Sequence, residues 1–149
     1  MVKKIYNVVL QSEIGDGTSR SNESYFYDWT QIPDVPYLVK FSFMSSTAAL
    51  TSAGQIASLY VDLSQSYNQL ATGQIAAEFA YRGQFLGNLL YLGVAAQNYL
   101  YAEVNTNPPT YLNGRPRNNN FIVEVHNSPT VDYAPAPGVY CLVLSFQEC

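Results

Sequence analysis

The residues able to do chemistry in this chain are few and widely spaced. One histidine (His126), two cysteines (Cys141 and Cys149) and eleven carboxylates make up its bases, nucleophiles and metal ligands. Acid–base and nucleophilic catalysis need such groups within hydrogen-bond reach of one another. His126 stands in FIVEVHN (121–127), on the side of the alternation opposite Phe121, Val123 and Val125. A lone histidine there reads as a surface or interface residue rather than a base. A pairing of Cys141 with His126 across neighbouring strands stays open as an alternative, but packing explains Cys141 better. There is no G-x-S-x-G nucleophile elbow and no glycine-rich phosphate loop.

Metal chemistry fares no better. Two cysteines eight residues apart and one histidine do not match zinc spacing. DGTSRSNE (16–23) lacks the alternating acidic pattern of a calcium loop. Asp28, Asp62, Glu103 and Glu124 fall singly within strand-like runs, as solvated strand faces do. A glycosidase pair would need two carboxylates to meet in space, and nothing in the sequence selects any two. No catalytic residue, cofactor or metal site is expected.

What remains chemically distinctive is TNPPTYLNGRPRNNN (106–120), with three prolines, one glycine and five asparagines in fifteen residues. It is expected to be a loop. Tyr111, Arg115, Arg117 and Asn118 make it a candidate docking surface: the ring would anchor, and the arginines and asparagine would hydrogen-bond a neighbour. The competing reading is a solvent-exposed connector. Two arginines in a chain of net charge −4 are thin for nucleic acid, so no specific nucleic-acid partner is expected.

The elements that must position this loop are read from periodicity. KIYNVVLQ (4–11), SYFYDWT (24–30), YLVKFSFMSS (37–46), SLYVDLS (58–64), QFLGNLLYL (84–92), YLYAEVN (99–105), FIVEVHN (121–127) and VYCLVLSFQ (139–147) are strand candidates. In 37–46, Val39, Phe41 and Phe43 alternate with Leu38, Lys40 and Ser42, a half-buried strand. VYCLVLSFQ is nearly continuously apolar and belongs in the centre of a sheet. The two glycines in QFLGNLLYLGV suit a bulge or a close backbone approach. Residues 47–57 and 66–83 are ambiguous; a short helix fits near 74–81. Short strands, recurring turn signals and no long helix predict an all-β, two-sheet antiparallel sandwich. About eight strands in one domain, 1–149, fit a single jelly roll.

Composition agrees with a packing role. Only 12% of residues are charged, about half the globular norm, and 13 are tyrosine. Tyrosine buries a large ring while its hydroxyl still finds a partner, which suits interfaces, though it also favours strands. No apolar run reaches the roughly 18 residues of a membrane span. MVKKIYNVVLQSE does not read as a signal peptide, so secretion is not expected. Both cysteines lie in the last nine residues, too far apart along an extended chain for a disulfide. Cys141 is expected to be a small buried hydrophobe in a reducing compartment.

The order of motifs has a further meaning. YNVVLQS, YFYDWTQIPDVPYLVKFSF, LGNLLYL, NPPTYLNGRPRNNNFIVEV and YCLVLSFQE follow one another as they stand here. In this the chain resembles the small single-jelly-roll minor capsid proteins of large double-stranded DNA viruses of eukaryotes, most weakly over 47–83. The resemblance implies a non-enzymatic virion component, made in the host cytoplasm. Its implied partners are the major capsid protein, other minor capsid proteins and copies of itself as a homo-oligomer. It carries no family active site. Two other readings stand beside it: a lectin-like jelly-roll carbohydrate-binding module, and a hydrolase built on scattered carboxylates.

Overall fold

The computed structural model describes residues 3–12, 22–47, 56–63, 85–94, 97–102, 105, 107–126 and 137–149. Among them are nine strands: β1 (Ile5–Gln11), β2 (Asn22–Phe26), β3 (Tyr37–Thr47), β4 (Ile56–Val61), β5 (Phe85–Val94), β6 (Gln97–Ala102), β7 (Thr110–Leu112), β8 (Asn120–His126) and β9 (Pro137–Glu148). Every pairing is antiparallel. The expected all-β antiparallel architecture is what forms. Of the ambiguous stretches, Thr47 ends β3 and Ile56 and Ala57 open β4, while 48–55 and 66–83, with the possible helix near 74–81, and Glu103 lie outside the described residues. Among the described residues no helix is long and apolar enough to cross a membrane.

The strands form one hydrogen-bonded path, β1-β9-β3-β6-β5-β4-β8-β2, with β7 added beside β3. This sheet is nearly closed on itself around a single core. Alternation dictates which side faces in. On β3, Tyr37, Val39, Phe41 and Phe43 are buried while Met44 is exposed. On β9, Tyr140, Leu142, Leu144 and Phe146 are buried. On β8 it is Phe121, Val123 and Val125, with Ile122 exposed. Each such side chain contributes about 1.5–3 kcal/mol by leaving water.

β9 is central as expected, between β1 and β3, but it is apolar for two different reasons. Tyr140, Leu142, Leu144 and Phe146 fill the core, while Cys141 and Val143 lie half-buried on the outward face. Cys141 is therefore not the fully buried hydrophobe expected, because the strand's period of two turns it away from the core. Cys141 and Cys149 are both free thiols.

The strand expected over 24–30 stops at Phe26. The Asp28 carboxylate accepts from the Thr30 backbone N–H at 3.0 Å and from its hydroxyl at 2.6 Å. That local bond offers the backbone a turn in place of a ladder. A 3₁₀ turn, Trp29–Gln31, results. It drops Trp29, 1% exposed, into the core against Phe121 and Phe146 at ring distances of 5.6 and 5.4 Å.

Gly87 behaves as its sequence context predicts. Leu59 pairs with Gly87 but Tyr60 with Phe85, so Leu86 is an extra residue on β5. A Cβ on Gly87 would stand 2.6 Å from the Phe41 ring. The neighbouring backbone of Asn88 is then matched by a side chain: its N–H donates to Asn107 Oδ1 at 2.9 Å, and its carbonyl accepts from Asn107 Nδ2 at 3.1 Å.

Candidate functional site

The loop carrying the candidate residues is tied to its own chain. Its first part is strand: Tyr111 on β7 pairs with Leu38 on β3, and its side chain is 40% exposed. The remainder docks against residues 27–36, the segment that makes the 3₁₀ turn. Trp29 N–H donates to Asn119 Oδ1 at 3.2 Å, and its indole N–H donates to the Asn118 carbonyl at 3.0 Å. The Tyr27 N–H reaches the Asn119 carbonyl at 2.9 Å. Asn118 Oδ1 in turn accepts from the Asn120 N–H at 3.2 Å. The run of asparagines thus answers backbone and indole donors that a turn leaves without ladder partners.

Asp34 is the second anchor. One carboxylate oxygen accepts from the Arg115 N–H at 3.2 Å, and the other meets Arg117 Nη2 at 3.2 Å. Arg115 Nη1 donates to the Ile32 carbonyl at 3.1 Å. Both arginines therefore have internal work, and they clip two loops together at one end of the sheet. The Arg117–Asp34 pair is exposed, so it adds little stability: about 0–1 kcal/mol. The sequence held no signal for Asp34 as the partner. It lies about 80 residues away in the chain, separated from Arg115 by 81 positions.

Next to this clip sits a small tyrosine–carboxylate group. Tyr6 OH donates to Glu148 Oε1 at 3.1 Å, and Tyr37 OH donates to the Pro33 carbonyl. The two rings meet edge-on at 6.2 Å. Burial, then the neighbouring Tyr6 and Glu148, push the Tyr37 phenol up to about 12. Tyr6 is also raised, by desolvation and by Glu148. Asp28 is held below its ordinary range, chiefly by the Thr30 hydroxyl and N–H. Both shifts favour the protonated phenol, the form that donates these hydrogen bonds. Among the described residues, no three His, Cys, Asp or Glu side chains gather as a metal site.

The outward faces carry what sequence reading missed. Phe26 is 69% exposed and Met44 is 61% exposed. Phe26 and Ile122 border a shallow depression of about 500 Å³ that also takes in Ser24 and Asn120. Met44, Tyr101, Cys141 and Val143 border a second, of about 490 Å³. The alternation patterns place these residues outward, but no pattern in one chain distinguishes an outward apolar residue that packs on a partner from one that meets water.

Comparison of the sequence with protein-family models gives no match, and comparison with curated proteins gives none.

Proposed function

We propose that this chain is a non-enzymatic structural protein, a minor component of the shell of a large double-stranded DNA virus. The observation that carries the reading is the strand order. Split at the β5–β6 hairpin, it gives β1-β9-β3-β6 on one side and β5-β4-β8-β2 on the other. That order supports the reading of a single jelly roll, two four-stranded layers over one core. Viral capsid domains and lectins share this architecture. The motif order from YNVVLQS to YCLVLSFQE favours the capsid branch.

Such a protein works by shape. Its partners are the major capsid protein, other minor capsid proteins and its own copies, and its place is the virion. Modest contacts per copy add up across a symmetric shell. The clipped loop suits this work, because a loop already held by Asp34 and Trp29 loses less entropy on meeting a neighbour. Tyr111 on β7, exposed beside it, is the ring proposed to anchor there.

Mass spectrometry of purified particles, combined with chemical cross-linking, tests the reading. The expected result is the chain in the particle with cross-links to the major shell subunit. Its absence from particles, with recovery only from uninfected cells, overturns the proposal. The lectin-like alternative draws support from the exposed Phe26 ring beside Ser24 and Asn120, a surface able to stack on a sugar. Saccharide binding by an isolated monomer selects that alternative.

A further inference from the structure

β1 ends the hydrogen-bonded path, so one of its edges has no neighbouring strand among the described residues. What that edge presents follows from the opposite side. The Glu148 N–H donates to the Lys4 carbonyl at 3.0 Å and the Ser12 N–H to the Tyr140 carbonyl at 3.1 Å, so the even-numbered residues bond to β9. Backbone groups alternate sides along a strand. Ile5, Asn7, Val9 and Gln11 therefore aim their N–H and C=O groups away from β9. Their side chains are exposed too, Ile5 and Val9 with 56% of their surface each.

A bare edge of this kind is a template for another strand, and proteins usually guard it with charge, proline, a bulge or shortness. β2, at the other end of the path, has five residues with Glu23 among them. β7 has three and follows Pro108 and Pro109. The seven residues IYNVVLQ of β1 hold no charge, proline or glycine, and their register with β9 runs unbroken. Lys3 and Lys4 stand only at the start.

This edge is its own complement. In an antiparallel pair, outward residues of one copy must meet outward residues of the other, which leaves few registers. The one centred on Asn7 sets Ile5 against Val9 of the second copy, Val9 against its Ile5, and Asn7 against Asn7. Apolar meets apolar and amide meets amide. The Ser145 hydroxyl, donating to Asn7 Oδ1 at 2.7 Å, already holds that amide in place. Centring on Val8 instead sets Asn7 against Val9 and Ile5 against Gln11. The antiparallel sense also puts Lys4 opposite Leu10, about 20 Å from the second copy's Lys4. A parallel pair would bring the lysines together, where like charges repel.

We propose that two copies of this chain join edge to edge through β1, antiparallel and centred on Asn7, so that their sheets run on continuously across the contact. This rests on the assembly reading above in taking a second copy as the occupant. The contact is isologous and closes at two copies.

The test uses the full chain with Cys141→Ala and Cys149→Ser, which removes both native thiols. A residue on the two-fold axis meets itself with Cα atoms about 5.5 Å apart, inside disulfide range. Adding Asn7→Cys and oxidising gently is therefore expected to yield a disulfide-linked dimer. Adding Val9→Cys alone is not, because that residue and its copy stand four positions apart, roughly 13 Å. Ile5→Cys and Val9→Cys together should link. In the wild-type chain, sedimentation should show a dimer that Val9→Pro weakens at least about tenfold. That proline removes an outward donor and spares the ladder to β9. Trp29 fluorescence checks that each variant is folded. Amide exchange at Asn7 and Val9 should slow as concentration rises, while Val8 and Leu10 stay protected throughout. A chain monomeric at every concentration overturns the proposal, as does a dimer indifferent to Val9→Pro or one linked by Val9→Cys in place of Asn7→Cys. Protection of Asn7 and Val9 only on adding major capsid protein gives the edge to that partner and also overturns it. The assembly reading stands or falls separately, on the particle analysis.

Discussion

Tyr25 on β2 donates its phenolic proton to the Tyr140 hydroxyl on β9 across 2.9 Å, joining residues 115 apart in the chain. β2 is the last strand of the hydrogen-bonded path and β9 the second, so this bond spans the gap where the sheet nearly closes. Tyr140 is held on its other side by Ser12, whose hydroxyl accepts the Tyr140 N–H at 2.8 Å. Its ring stacks on Phe43 with centroids 5.0 Å apart.

Removing that bond should loosen the closure without emptying the core. Tyr25→Phe is expected to destabilise by about 1 kcal/mol, the usual net worth of such a bond. Tyr140→Phe should cost a similar amount, and the double variant should cost clearly less than the two added together. Urea unfolding followed by Trp29 fluorescence measures all three. Strict additivity would show that the two hydroxyls do not depend on each other.

Gly87 should tolerate nothing larger. Gly87→Ala puts a methyl 2.6 Å from the Phe41 ring and 2.9 Å from the Asn107 amide carbon. Overpacking of this kind costs about 1–3 kcal/mol. Phe41→Leu should be milder in the Gly87→Ala background than alone, since the smaller side chain gives the methyl room. The midpoint of denaturant unfolding reports both.

Asp34 should matter more than either arginine side chain it meets. Asp34→Ala removes the acceptor of the Arg115 N–H and the partner of Arg117 together, and is expected to cost about 1 kcal/mol. Arg117→Ala should cost under about 0.5 kcal/mol, because that ion pair is exposed. Amide hydrogen exchange at Arg115 should quicken in Asp34→Ala and stay near wild type in Arg117→Ala.

Tyr37 makes a pH prediction. Its folded-state value, about 12, lies above the ordinary 10, so folding favours the neutral phenol. The stability it contributes is complete below pH 10 and is lost as pH rises from about 10 to 12. At about 1.4 kcal/mol per unit, the loss is on the order of 2–3 kcal/mol. Tyr37→Phe should be less stable near neutrality, having lost the bond to the Pro33 carbonyl, yet should lose less stability over that alkaline window. Unfolding curves at stepped pH, wild type against variant, check it.

How much of this was legible beforehand depends on how local each cause is. Alternation along 37–46 and 121–127 announced half-buried strands, because side-chain direction has a period of two within a single segment. Glycine in QFLGNLLYLGV announced the bulge, because the need to omit a Cβ is written into the residue. Residues 24–30 misled: five of the seven favour strand, yet one Asp28 side chain turns the backbone at Trp29. β7 was invisible, since three residues among prolines become a strand only when the edge of β3 is there to pair with.

The same division holds for the site. The residue types of Tyr111, Arg115, Arg117 and Asn118 marked their loop as polar and rich in donors. That Asp34 and Trp29 take up those groups follows from which loops the fold brings together. The amino-acid sequence alone determined that the chain is all-β and which face of each long strand turns inward, because those properties arise between residues near in sequence. Strand order, the near-closure at Tyr25 and Tyr140, and the clip of Asp34 on Arg115 and Arg117 were decided only by tertiary structure. They arise from pairings across tens to more than a hundred residues, where the core as a whole, and no local preference, selects the partner.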